Sequence, residues 1–181
     1  MQAFRSGRDE RGAQIVEFAV VLPLLAVLIL GIMDFGQAFA IRQKLTFAAR
    51  DAARFGSSEP TNDLTQPVPV SVTAIRDLAD ADLLAAHISD CALGPIQPAT
   101  GLQWTATGTC PNTATFTLTI DRGFVTTVAG EPQGGGQPLH MIFTHVTMSY
   151  PFKWHLSSLV PGATSAGTTQ LQTDAVAPNQ D

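Results

Sequence analysis

Two residues near the start of the chain could take part in chemistry, namely Gly12 and the carboxylic acid Glu17. Glu17 stands at the beginning of an apolar run in which no residue from Phe18 to Met33 carries a charge. An acid at the mouth of a membrane-length apolar segment costs free energy, so it is more often functional than incidental. Gly12 marks the point at which the polar start of the chain gives way to a predicted helix.

The two cysteines, Cys91 and Cys110, both follow the apolar run. If this part of the chain lies outside the cytoplasm, the pair predicts a disulfide, whereas a reducing compartment would leave two free thiols. The spacing does not fit a CxxC redox or zinc motif.

The other reactive side chains form no recognisable catalytic or metal-binding motif. The four histidines lack HExxH spacing, and the sequence contains no GxSxG turn, so we expect neither an enzyme nor a cofactor. Asp77, Asp80 and Asp82 lack the spacing and glycine of a calcium loop and are expected on a solvated helix face. The glycine run at 134–136 lacks the ending of a phosphate loop. A formal net charge of −5 argues against nucleic acid as a partner.

The apolar run is long enough to cross a bilayer. We expect the span over about residues 15–41, because some 20 apolar residues cross roughly 30 Å of hydrocarbon. Asp34 then lies near the end opposite Glu17. The residues allow a helix exposed by N-terminal processing, an uncleaved anchor, or a secretory signal cut after Ala40. Arginines flank the run on both sides and do not fix its orientation, and the residues alone favour the uncleaved anchor.

The helix that carries these residues should continue well beyond the membrane. Apolar positions recur at three- to four-residue spacing after Asp34 and predict one helix over residues 13–55, about 65 Å long. Gly56 is expected to end it. Pro23 lies inside the helix, where it removes a backbone donor and can introduce a kink.

The rest of the chain predicts an α+β fold. Residues 57–70 have the composition of a linker, and residues 71–89 form a predicted helix with Ser71 as its N-cap. Alternating apolar and polar residues predict strands over 102–107, 113–121, 124–128, 139–152 and 168–176. We therefore expect a long N-terminal helix followed, over residues 71–181, by a small antiparallel sheet with one packed helix.

The sequence around Gly12 resembles the TadE-like family. The residues that carry the resemblance are 11–25, 31–36 and 48–54. Members of this family are pseudopilins or minor pilins of the tight-adherence (Flp-type) pilus machinery. The resemblance implies that residues 1–12 are a leader, that a prepilin peptidase cuts between Gly12 and Ala13, and that residues 13–56 are the helix of the mature protein.

The resemblance also implies roles for the residues after the cut. Glu17, with Phe18 beside it, would act in assembly by meeting the new N-terminal amine of an adjacent subunit. Pro23 would soften the helix for extraction from the membrane, although a simple packing kink is an equal alternative. The implied partners are prepilin peptidase, other pilins or pseudopilins, the inner-membrane assembly platform and membrane lipid.

The implied location is the bacterial inner membrane, crossed once, with a periplasmic C-terminal domain that is incorporated into a pilus or its tip. The competing interpretation is a single-pass anchored domain that binds a periplasmic ligand or cell-wall component. Such an anchor should tolerate substitution of both Gly12 and Glu17, whereas a prepilin should not.

Overall fold

The computed structural model describes residues 9–111, 113–128, 139–155 and 167–180. Residues 1–8 of the predicted leader (1–12) and the glycine run at 134–136 lie outside this part of the chain. Within the described ranges there are two helices and five strands, which confirms the predicted α+β class: α1 (Asp9–Ser58), α2 (Val70–Ala85), β1 (Gln97–Pro98), β2 (Gln103–Thr109), β3 (Thr115–Val128), β4 (Leu139–Lys153) and β5 (Thr168–Pro178). The chain divides into one unit of residues 1–37 and 154–167 and a second of residues 38–153 and 168–181.

Helix α1 begins and ends outside the predicted limits of 13–55. The expectation that Gly56 ends it is wrong, because the helix continues to Ser58. The last carbonyls are satisfied locally: the Ser57 and Ser58 hydroxyls donate to the carbonyls of Arg54 and Phe55 at 2.7 and 2.8 Å. Side-chain hydroxyls and the following Pro60, rather than glycine, therefore accompany the end of this helix.

Gly56 instead allows α1 to approach α2 and β4 closely. A Cβ built on this residue would lie 2.7 Å from Ile75 Cδ1 in α2 and 2.8 Å from Thr144 Cγ2 in β4. Both distances are shorter than van der Waals contact allows. The glycine thus lets the last turn of α1 reach the other helix and the sheet at one point.

Helix α2 starts at Val70. The prediction that Ser71 is its N-cap is wrong. Pro69 occupies the cap position and offers no side-chain hydrogen bond. Instead, the backbone N–H and the hydroxyl of Ser71 both donate to the Asp63 carboxylate at 2.8 Å. An acid distant in sequence therefore satisfies one of the unpaired donors at the start of the helix.

The Asp63 carboxylate is expected to stabilise the fold in a pH-dependent way. Burial raises the pKa of Asp63, but the hydrogen bonds from Ser71 and the charge of Arg122 outweigh it, so the pKa lies below its ordinary value of 3.8. A group with a lowered folded-state pKa stabilises above its unfolded-state pKa, and this stability is lost as the pH falls through the folded-state pKa. At pH 7 we expect Asp63→Ala to lower the free energy of unfolding by about 1 kcal/mol.

Urea unfolding of Asp63→Ala and of the wild type between pH 7 and pH 2 tests this expectation. The difference between the two proteins should shrink below pH 3.8 and should be smaller for the matched Asp63→Asn variant, which keeps an acceptor oxygen. A difference that does not depend on pH would contradict the proposed role of the charge.

Helix α2 ends earlier than predicted, at Ala85 instead of residue 89. His87 adopts a left-handed conformation with φ of 57°. The Ile88 N–H donates to the Leu83 carbonyl at 2.9 Å, and the His87 N–H donates to the Leu84 carbonyl at 3.0 Å. This is the hydrogen-bond pattern of a Schellman motif, with histidine at the position that glycine usually takes.

The five strands form one antiparallel sheet in sequence order, from β1 to β5. The predicted strands at 113–121 and 124–128 are one strand, β3, whose register to β4 shifts between Asp121 and Phe124. The alternation is as predicted in the middle of the two strands, where every second residue is fully buried: Phe116, Leu118 and Ile120 in β3, and Thr144, Val146 and Met148 in β4. Strand β1 was not predicted from the sequence.

One hydrophobic core joins α2, one face of the sheet and the C-terminal part of α1. The part of α1 that enters this core is a stripe of small residues after one leucine: Leu45, Ala48, Ala49, Ala52 and Ala53. Helix α2 contributes Val72, Ile75, Ala79 and Leu83. The segment predicted as a linker is also held, since the Trp104 indole N–H donates to the Pro67 carbonyl at 3.0 Å.

Candidate processing and assembly site on helix α1

The predicted processing site lies within a helix. Gly12 and Ala13 are in the first turns of α1, both exposed, and a Cβ on Gly12 would meet no atom within 4 Å. Glu17 follows Ala13 by four residues, so the two lie on the same side of the helix. Phe18 is exposed as well, and the helix continues through Pro23.

The Glu17 carboxylate is exposed, and no described residue forms a hydrogen bond or ion pair with it. Apart from Gln14, its neighbours on this part of α1 are apolar. Ile15, Phe18 and Val20 are 69, 65 and 71% exposed. The acid thus stands alone on a hydrophobic surface, an arrangement that favours pairing with a group from outside the chain.

This part of α1 fits a single-pass membrane anchor. Among the described residues one helix, over Gly12–Ser58, is long and apolar enough to cross a membrane, with a mean hydropathy of 2.8 in its most apolar window. None of that window is buried, unlike the core helix of a water-soluble protein. A helix that is apolar and exposed all round is suited to lipid.

The second acid of the apolar segment, Asp34, is in a different situation from Glu17. The residue is only 3% exposed, and its carboxylate Oδ1 lies 2.9 Å from Nδ1 of His155. Beside this pair, the rings of Phe35 and Trp154 meet edge to face, with centroids 5.1 Å apart. The acid at this end is therefore satisfied within its own chain.

No local pattern in the sequence indicates the partner of Asp34. His155 is 121 positions away, and neither it nor Trp154 belongs to a motif. Neither an aspartate nor a histidine at such a separation identifies the other as its partner. Spatial proximity of this kind requires the tertiary structure.

Cys91 and Cys110 are joined by a disulfide. It ties the segment after α2 to the residue that follows β2. Gly108 lies beneath this connection, where a Cβ would come within 2.6 Å of the Cys91 carbonyl oxygen. The disulfide contributes to the fold of residues 38–153 and is not part of the site at the start of α1.

The acidic residues of α2 are only partly on a solvated face. Asp77 is exposed, whereas Asp80 and Asp82 are half-buried. Burial raises the pKa of Asp80, although Arg76 acts against it, and burial raises the pKa of Asp82 with a contribution from the charge of Asp51. Within the described ranges, no three His, Cys, Asp or Glu side chains could hold a metal ion together.

These features define an α+β protein whose N-terminal helix fits a membrane anchor and carries Glu17, an exposed acid without a partner among the described residues. Residues 12–54 match the family model described as TadE-like protein. The match confirms the resemblance seen in the sequence and includes Gly12, Ala13, Glu17, Phe18 and Pro23. Searches of curated proteins and of solved structures give no match.

Proposed function

We propose that this chain is a pseudopilin or minor pilin that acts in the assembly of tight-adherence pili after cleavage between Gly12 and Ala13. The observation that supports this most is the unpaired Glu17, exposed on an apolar helix inside the TadE-like segment. Its activity is assembly rather than catalysis, and it requires no cofactor and no nucleic acid.

Cleavage supplies the group that Glu17 lacks. A cut after Gly12 would give Ala13 a protonated amine four residues before the acid. Within one chain these charges neutralise each other only in part, because both remain at the edge of an apolar segment. When the amine of an adjacent subunit approaches, each charge gains a partner and the cost of holding it near hydrocarbon falls. Subunit association is therefore favoured by the same charges that are costly in the isolated helix.

The position of the cut inside α1 has a physical consequence for the peptidase. A helical peptide bond must become extended before it fits an active site, so the first turns of α1 have to open. Glycine is about 1 kcal/mol less favourable than alanine in a helix. Gly12, which makes no side-chain contact, thus reduces the free energy needed to open the helix at the cut.

The partners that follow from this function are prepilin peptidase, other pilins or pseudopilins, the inner-membrane assembly platform and lipid. We place the protein in the bacterial inner membrane with a single pass and a periplasmic C-terminal domain, from which it enters the pilus or its tip. Major Flp-type pilins are short and almost entirely helical. The sheet domain of this chain therefore favours a minor role over that of the main filament subunit.

Processing is tested by the N-terminal sequence of the protein recovered from membranes. We expect a start at Ala13 in the wild type and at least a tenfold loss of this form in Gly12→Leu, because a bulky side chain replaces the small residue before the cut. Gly31→Leu is a matched control, since a Cβ at Gly31 also meets no atom within 4 Å. A start at Met1 in the wild type would instead indicate an uncleaved anchored binding domain, and a start at Ile41 a secreted protein.

A further inference from the structure

The two edges of the sheet are protected to different extents. At one edge, β1 pairs with β2, and the Gly94 N–H donates to the Thr107 carbonyl at 2.9 Å, so this edge is largely covered. At the other edge, β5 pairs with β4 over 11 residues. No described residue pairs with the outer side of β5 from Gln170 to Pro178.

The pairing register identifies the backbone groups that point outward from β5. Just beyond the strand, the Asn179 N–H donates to the Ile142 carbonyl at 3.0 Å, so Asn179 bonds to β4. In an antiparallel pair, residues alternate between bonding to the neighbour and facing away from it. Odd-numbered residues of β5 therefore bond to β4. The N–H and C=O groups that face outward belong to Gln170, Gln172, Asp174 and Val176.

This edge lacks the features that usually prevent strand pairing. Proteins protect exposed edges with lysine, proline, bulges or short strands. Strand β5 has no lysine or arginine, no proline before Pro178, and no shift in its register to β4. Its one charged residue is Asp174, whose side chain is 67% exposed. The edge is long, regular and nearly uncharged, as a strand built for pairing would be.

We propose that two copies of this chain associate by pairing β5 with β5 in antiparallel orientation. A two-fold axis at Thr173 places Gln172 of one copy opposite Asp174 of the other, so that an amide N–H can donate to each carboxylate. An axis at Asp174 would instead oppose two acids, which is destabilising. The strand thus contains its own complement, and the four outward residues of each copy form four pairs with two backbone hydrogen bonds each.

This proposal is independent of the proposed pilin function, because it rests on the sheet and not on α1. Its test is the oligomeric state of the full chain in detergent micelles, measured by sedimentation equilibrium over a range of protein concentrations. We expect a reversible dimer. Gln172→Pro removes one outward N–H without affecting the bonds to β4, and proline is tolerated on edge strands. Val176→Lys adds the charge that natural edges use.

Both variants should raise the dissociation constant of the dimer at least about tenfold, since paired hydrogen bonds are lost or opposed. Thr119→Lys is the matched control, because Thr119 lies on the outer face of the central strand β3, away from the edge, and should leave the dimer unchanged. Circular dichroism verifies that each variant is folded. If Gln172→Pro is unfolded, the result for Val176→Lys decides the outcome. A monomeric wild type, or a dimer that persists in the folded edge variants, would overturn the proposal.

Discussion

Valine in place of Gly56 is expected to lower the free energy of unfolding by about 3 kcal/mol. A Cβ at this position would approach Ile75 Cδ1 to 2.7 Å and Thr144 Cγ2 to 2.8 Å, and valine adds two further methyl groups. Ile75 and Thr144 are both fully buried, so neither has free space into which to move. The helix or the sheet would have to shift instead.

Thermal unfolding of the two proteins measures this effect. A loss of about 3 kcal/mol corresponds to a fall in Tm of roughly 10 °C for a domain of this size. The Tm of Gly56→Ala should fall less, because alanine is about 1 kcal/mol more favourable than glycine in a helix. The control is Gly36→Val, at a site in α1 where a Cβ would meet nothing within 4 Å. If the Tm of Gly56→Val equals that of the wild type, the close contact is not important for stability.

Gly56 also illustrates where local sequence patterns fail. Glycine after a run of alanines usually ends a helix, and the sequence predicts that outcome here. The residue is instead selected by two side chains from other elements, one in α2 and one in β4. Similarly, neither the Asp63 cap of α2 nor the left-handed His87 at its end follows from local patterns, because Asp63 lies eight positions before Ser71 and His87 stands where glycine is usual.

Strand β3 shows the limit of alternation as a guide. Phe116, Leu118 and Ile120 correctly predict a half-buried strand. The next residue on the same face is Arg122, and because it is charged, the apolar alternation stops there in the sequence. In the structure Arg122 is 1% exposed, and its Nη2 donates to the Glu59 carbonyl at 2.8 Å. A buried charge of this kind depends on partners from another segment, which periodicity does not contain.

The site on α1 was easier to anticipate than the domain that follows it. The apolar length of the helix and the position of Glu17 are local properties, and the motif around Gly12 carries the family resemblance. The difference between the two acids was not predictable, however. Asp34 is paired with His155 in its own chain, whereas Glu17 has no partner among the described residues. Only the structure separates an acid that is paired within its own chain from one that has no partner among the described residues.

Glutamine in place of Glu17 is expected to reduce incorporation of the protein into pili or pilin complexes at least about tenfold. The substitution keeps the shape of the side chain and removes its charge, so the amine of an adjacent subunit would enter the apolar region without an opposite charge. Leaving one member of such a pair uncompensated typically costs several kcal/mol. The fold should not change, because Glu17 is exposed and forms no hydrogen bond or ion pair with another described residue.

The measurement is the amount of the chain that co-purifies with sheared pili or cross-links to other pilins, relative to its level in membranes. The N-terminal sequence of Glu17→Gln should still begin at Ala13, which separates a defect in assembly from one in processing. Asp51→Asn, which removes an exposed acid of α1 beyond the apolar run, is the matched control and should incorporate normally. If Glu17→Gln also incorporates normally, the acid does not select the neighbouring subunit. The association of α1 helices would then depend on apolar packing alone.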